Sequence, residues 1–375
     1  MFTSSMKKLA LGVAASAIAL GLIVGGVASK PANAEETYNP ECFAPDARSK
    51  KVIQYPAKEG PYRLALANGF VGNSWRIQMI QSLKAWAARP ENAKDIKELK
   101  VVSTGTDVAA QIAAIDNMIA AGFDAIFFIA VNPTAFEPVI KRAERAGVVL
   151  VPFDNVIDSD KVVIINEPQI PFEEVKAQYI LDHMAEKKGK VLEVRGLPGN
   201  SVDRDRSIGM HNVFDKVPEI EVITVVGNWD DGTTQKVVTD ALNTHGQFAA
   251  FVPQHGTTGL MNALIAANHP KVPIGGGGEN GSLRMIKEGG WTSISRVQTP
   301  ALSAVAAKAA VALLQGHPLP QLVGLPIPTL TTEDLVDGKT YFSNAPDNFQ
   351  AGADIPACDI VLPLEELLQQ SPDNT

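Results

Sequence analysis

The chain is 375 residues long, 45% apolar and 20% charged, and its 33 Lys and Arg against 41 Asp and Glu leave a formal net charge of −8. That length suits two domains of about 130 to 150 residues better than one, each with a full core. An acidic chain without a basic block excludes nucleic acid as a partner.

The N-terminus stands apart from any core. Lys7 and Lys8 precede an apolar stretch over 9–29, and Ala32-Asn33-Ala34 has the small-x-small pattern of a signal peptidase site. Residues 1–34 are therefore expected to be a cleaved secretory signal. A retained anchor is the alternative, since the stretch is about long enough to span a bilayer. Cleavage removes three Lys and takes the net charge from −8 to −11. No Cys stands at the cleavage point, so a soluble exported product is expected rather than a lipid-anchored one. A Pro-containing lead-in, 35–61, follows. The two cysteines, Cys42 and Cys358, fall near the ends of the mature chain. In an oxidising compartment such a pair reads as a disulfide, with two buried free thiols as the alternative.

Strands and helices then alternate. Residues 63–67 are predicted as a strand; a helix follows from Trp75, with Ile77, Ile80, Leu83 and Ala87 on one face, stopped at Pro90. Residues 99–103 form the next strand, and Asp107 caps a helix that Gly122 closes. Residues 125–130 are apolar throughout, as a buried central strand should be. Asn132-Pro133 predicts a cap with proline at the first helical position, the helix ending before Gly147. A strand at 148–151 then leads into Asp154 and Asn155.

After Asn166-Glu167-Pro168 the cycle restarts, with strands predicted at 191–194, 222–226, 249–252, 272–274 and 293–297 and helices between them. An Ala/Val/Leu-rich helix over 301–315 is expected to pack back on the first half. Beyond His317 the chain is rich in Pro and Asp, with an extended segment at 323–331, and is longer than such a fold needs. The pattern predicts two doubly wound parallel-sheet halves of α/β class. A (βα)8 barrel gives similar alternation but no restart in mid-chain.

Residues 195–210, RGLPGNSVDRDRSIGM, carry the strongest functional signal. A strand ends there in a loop containing Gly, Pro and Asn and enters a helix, the place where open α/β sheets bind ligands. Asp203, Arg204, Asp205 and Arg206 crowd the helix start, where a planar guanidinium can grip a polar ligand through two parallel hydrogen bonds. A solvated helix start is the plainer reading. Four further pieces accompany it: Asn73-Ser74-Trp75-Arg76, Phe153-Asp154-Asn155-Val156, Asn228-Trp229-Asp230-Asp231 and the run GGGGEN at 275–280. In this order, across about 62–317, the set resembles the periplasmic sugar-binding proteins of the ribose-binding type.

The resemblance implies the type I periplasmic binding protein architecture, two doubly wound parallel-sheet lobes joined by a hinge. The N-terminal lobe would comprise 62–167 and about 299–322, the C-terminal lobe 168–298, and an extension, 323–375, would cross the lobes. It further implies a monomeric periplasmic protein without cofactor or metal. Such a protein traps a small sugar or polyol by hinge closure and delivers it to an ABC permease and its ATPase. Sugars present C–H faces that suit aromatic planes and paired hydroxyls that suit Asp, Asn and Arg.

Trp75 and Trp229 resemble the family's stacking aromatics, whereas Trp86 lies on a helix's periodic face and reads as core. Asp154 and Asn155 resemble an acidic residue and its polar neighbour. The family usually has Arg where Asn155 stands, and Arg76 is a substitute donor. Arg206 matches the ligand-binding arginine and Arg204 a surface position. Asn73, His255 and Gln298 complete the expected site, with Glu279 and Asn280 where the family supplies a carboxylate. If Arg206 only grips ligand, its loss should leave ligand-free stability untouched.

The transcription repressors that share these lobes carry a helix-turn-helix where this chain has its leader. A periplasmic sensor of the same fold, binding a signal molecule or nucleoside, is the second reading. An enzyme is the third: no two His stand at metal-ligand spacing and no nucleophile motif occurs. Asp230-Asp231 and Asp203-x-Asp205 read as helix caps and solvated charges.

Overall fold

The computed structural model describes residues 41–352 and 354–375. The expected leader, 1–34, and the first part of the lead-in lie outside the described residues. Tyr62–Asn68 is an inner strand of a four-stranded parallel sheet, between Ile96–Ser103 and Ala125–Phe128, with Val149–Pro152 beyond. The alternation of side chains along each strand feeds two cores. Leu64, Leu66 and Phe127 join one apolar cluster, while Ala65, Ala67, Ile126 and Phe128 join the other. Burial on both faces explains why Ala125–Phe128 and Val149–Pro152 are apolar at every position.

The second half repeats the plan. Its six-stranded sheet runs Thr329–Thr331, Ser293–Arg296, Ile274–Gly276, Ala250–Pro253, Gly189–Arg195, Ile220–Val226, parallel except for the antiparallel Thr329–Thr331. Leu192 and Val194 point into one cluster and Val191 into the opposite one.

The chain passes between the halves after Asn166, after Val297 and after Gly324. Two of these crossings begin side by side, where Ile164–Asn166 pairs in parallel with Leu322–Gly324. Helix Leu302–Leu314 returns to the first half and buries Ala304, Val305, Ala306, Ala307, Ala309 and Ala310 in its core. The segment expected to be extended at 323–331 is thus two short strands, one on each half.

Past Thr331 the chain runs along the second half and then returns to the first. There Cys358 meets Cys42 with sulfurs 2.04 Å apart. Arg89 Nε donates to Glu366 Oε1 at 2.9 Å. Thr375 N donates to Val101 O at 3.0 Å, and Val101 N to Thr375 Oγ1 at 2.8 Å. These last bonds cover the outer edge of Ile96–Ser103, an edge strand whose backbone would otherwise be open to pairing.

One helix start differs from expectation. Asn132 does not cap a helix; its Oδ1 accepts from Thr134 N at 2.9 Å and from Thr134 Oγ1 at 3.0 Å, closing a local turn. The helix begins at Glu137, with Pro138 in its first turn. The proline of the first helical turn is therefore Pro138, at the second helical position and five residues later than the sequence pattern indicated.

Candidate functional site

Both sheets send the loops at the carboxyl ends of their strands toward one cavity, which encloses about 490 Å³ of space with its mouth included. That size is in the range of small-molecule sites. Asn73, Trp75 and Arg76 follow the strand Tyr62–Asn68, and Asp154 and Asn155 follow Val149–Pro152. From the second half come Phe172, Val202, Arg206, Trp229, Gln254, His255, Gly277, Gly278 and Arg296. Gln298 lies at a crossing, and Gln350 comes from the C-terminal extension. Nine of the eleven residues expected to bind ligand are in this lining.

On the first half, Asn73 caps helix Ser74–Ala88 by accepting from Arg76 N. That cap sets the helix start and so carries Trp75 and Arg76 to the cavity. Trp75 Nε1 donates to Gln298 O at 3.0 Å, and the indole also joins the first core. Arg76 is buried; its Nη1 donates to Asn68 Oδ1 at 2.9 Å, and its Nη2 lies 3.8 Å from Asp154 Oδ2. Asn155, with its amide turned to match its neighbours, accepts from Arg76 Nη2 at 2.8 Å and donates to Asp154 Oδ2 at 2.9 Å. Burial brings the Arg76 guanidinium down to about 10, with the Asp154 charge opposing. Burial likewise raises the Asp154 carboxyl above its ordinary value, and Arg76 and Arg206 pull it back. Asp154 holds a left-handed backbone, φ 57°, a conformation that Asp tolerates better than most residues.

On the second half, Trp229 also has positive φ, 58°. Its ring lies against Gly196 so closely that a Cβ there would come within 2.0 Å of the indole. Gly196 is therefore the bare seat on which this aromatic rests. Gln254 fixes the assembly, its Oε1 accepting from Gly196 N at 3.2 Å and from Trp229 Nε1 at 3.3 Å. Its Nε2 donates to Asp203 O at 3.0 Å. Asp203 is fully buried and structural, taking Gly196 N and both branches of Arg195.

Arg206 differs from the simple grip expected of it. Its Nε donates to Gln169 Oε1 at 2.8 Å, Nη1 to Gln254 O at 2.6 Å and Nη2 to Gln298 Oε1 at 2.6 Å. It also lies 4.3 Å above the Phe172 ring. Three of its five N–H groups thus bind protein, and two of those partners, Gln169 and Gln298, sit beside the crossings. The expectation that its loss spares the ligand-free fold is therefore replaced: Arg206 knits the hinge as well as lining the cavity. Gln298 is the link between the lobes, since its Nε2 donates to Asp154 Oδ1 at 2.7 Å while its Oε1 takes Arg206. Beside them Glu167 is fully buried, and burial together with the Asp154 charge pushes its carboxyl up to about 8. Arg204 is exposed and pairs with its neighbour Asp205.

Glu279 and Asn280 lie outside the cavity lining. Helix Thr257–Ala266 starts at a glycine without a side-chain cap, and Glu279 Oε1 supplies one by accepting from Gly256 N at 2.8 Å and Thr257 N at 3.0 Å. Burial opposes ionisation of Glu279, but His255, 3.1 Å away, and these backbone donors outweigh it, so its carboxyl stands below the ordinary value. Asn280 uses its amide on the backbone of Phe342, Ala345 and Pro346, holding the extension. Gly277 and Gly278 take the lining positions instead. Of the lining residues absent from the expected set, Gln254 was visible as the polar residue ending a strand. Val202 lies within the 195–210 run, whereas Phe172, Arg296 and Gln350 had no local signal. Among the described residues no group of three or more His, Cys, Asp or Glu could hold a metal ion, and no helix is long and apolar enough to cross a membrane.

Two wound lobes, three crossings and a cavity between the carboxyl ends of both sheets define a two-lobed binding protein of type I architecture. The chain belongs to the periplasmic binding protein domain family, whose model matches residues 64–318. It is 24% identical over 250 residues to the ribose import binding protein of Bacillus subtilis, covering 66% of this chain and 81% of that one. It is 26% identical over 205 residues to the xylitol-binding protein of Mycolicibacterium smegmatis, covering 53% and 58%. Among solved structures it resembles an ABC transporter solute binding protein from Thermobispora bispora, with TM-score 0.67, 28% identity and coverage of 71% and 84%.

Proposed function

We propose that this protein captures a small sugar or sugar-like polyol between its lobes and delivers it to an ABC permease and its ATPase. The observation that carries the reading is the convergence of Trp75 and Asp154 from one lobe with Trp229 and Arg206 from the other on one cavity. The two indoles supply planes for C–H faces, and Asp154, Asn155, Asn73 and the free N–H groups of Arg206 meet hydroxyls. Relatives named for ribose and for xylitol support this ligand class. Closure buries the ligand and aligns the outer faces of the lobes, so affinity and the signal to the permease arise from one motion. The chain works as a monomer outside the cytoplasm after loss of residues 1–34, and leaves its ligand chemically unchanged.

A thermal-shift screen of pentoses, hexoses, xylitol, myo-inositol and nucleosides tests this. A ligand at a hundred times its Kd stabilises by about 2.7 kcal/mol, an easily measured rise in midpoint. A response to nucleosides alone, or chromatography showing a sugar converted, overturns the reading.

A further inference from the structure

The family match ends at residue 318, yet one side chain of the cavity wall comes from far beyond it. Gln350 is 1% exposed. Its Nε2 donates to Ser74 Oγ at 2.9 Å, next to the cap that places Trp75. That bond uses one amide hydrogen. Among the described residues no donor reaches Oε1, so Gln350 lines the cavity with one acceptor and one N–H still available. A buried amide with open valences facing a cavity is costly when empty and is satisfied by a ligand hydroxyl.

Its position is firmly set. Gln78, buried on helix Ser74–Ala88, clasps the Gln350 backbone twice, with Oε1 accepting from Gln350 N and Nε2 donating to Gln350 O, both at 2.8 Å. From the other lobe, Asn280 N donates to Phe349 O and Ala351 N to Gly278 O, again at 2.8 Å each. The segment 349–351 is therefore held by both lobes at once, beside Gly277 and Gly278, where the lining has no side chain of its own.

We infer that this segment is a third wall of the ligand site, and that Gln350 is a ligand-contacting residue that sets which sugar or polyol is accepted. This rests on the proposed function above. Its chemistry is that of hydroxyl recognition: an acceptor and a donor on one planar group select ligands with a hydroxyl in reach of both and reject those without one.

The test is calorimetric titration of wild type, Gln350→Ala and Gln350→Glu with D-ribose, D-allose, xylitol and myo-inositol. Gln350→Ala keeps every backbone bond of the segment, so its ligand-free melting midpoint should stay within a few degrees of wild type. The tightest of the four ligands should lose at least tenfold in affinity and the weakest less than threefold, compressing the spread. Gln350→Glu, which removes the donor and keeps the acceptor, should reorder the panel. Unchanged affinities, or an equal loss for every ligand, overturns the role of Gln350 while leaving the sugar-binding reading intact. Failure of wild type to bind any sugar or polyol of the wider thermal-shift screen overturns both.

Discussion

Replacing Arg206 with Ala tests whether one side chain serves both hinge and ligand. The substitution removes three charge-assisted hydrogen bonds and the cover over Phe172. Each such bond contributes about 1.5 to 3 kcal/mol, but the net loss is smaller than their sum because burying the guanidinium is itself costly. The direction of its shift records that cost: burial pulls Arg206 below its ordinary value, and Glu173, Asp154, Glu167 and Glu279 hold it up. What decides the balance is what remains. Gln169 Oε1, Gln254 O and Gln298 Oε1 lose their donor, and the nearby carboxylates lose a cation. Breaking one side of a buried charged network costs about 3 to 5 kcal/mol, and we take the lower end because the cavity can admit water. The ligand-free melting midpoint should fall by roughly 5 to 10 °C. Affinity for a ligand returned by the thermal screen should fall at least tenfold, since the two remaining N–H groups go as well. Arg206→Lys should recover little of either, because an ammonium cannot reach three separated acceptors in a plane. Calorimetric melts without ligand, then titrations with it, give both numbers. A ligand-free midpoint within 1 °C of wild type would refute the hinge role.

Glu167 carries a pH prediction. Its folded-state value, about 8, lies above the usual 4.5, so the folded chain holds this proton more tightly than the unfolded one. Stability from this group is complete below pH 4.5, falls by up to about 1.4 kcal/mol per pH unit above it, and is lost past pH 8. Glu167→Gln should flatten denaturant-derived stability across that window; an unaltered slope would show that Glu167 titrates normally. Trp229→Ala should weaken ligand binding by about a kcal/mol or more, and Gly196→Ala should match it by unseating the ring, both read by titration. Trp75→Ala should additionally lower ligand-free stability by a few kcal/mol, because that indole also packs in the first core. Intact mass after alkylation without reductant should show no added groups on Cys42 and Cys358. Cys358→Ser should lower the melting midpoint, with about 5 to 6 kcal/mol as the upper bound for a loop of 316 residues.

Elements whose signal is local were legible in sequence. The apolar run at 125–130 and the Asp107 cap have counterparts in Ala125–Phe128 and helix Val108–Ala120. The Asn132 turn was misread because an Asn followed by Pro serves an Asx-turn as readily as a helix cap, and only the later Pro138 separates the two. Glu279 shows the other failure. A carboxylate after a strand looks like a ligand group, but an uncapped helix start 22 residues earlier in the chain claims it. Gln350 was invisible for the same reason: its place depends on Gln78 and Gly278, neither of them near it in sequence. Local periodicity carries strands and helices, whereas a cavity is assembled by contacts between distant segments.

The pairing of Thr375 with Val101 also bears on how the chain can be made. Ile96–Ser103 leaves the ribosome some 270 residues before the segment that closes its edge. Throughout that interval the first lobe would carry an open strand edge, so early folding of this half would expose the surface most prone to pairing with another chain. A chain held unfolded until 371–375 is available avoids this hazard, and a variant lacking 371–375 would keep it for life.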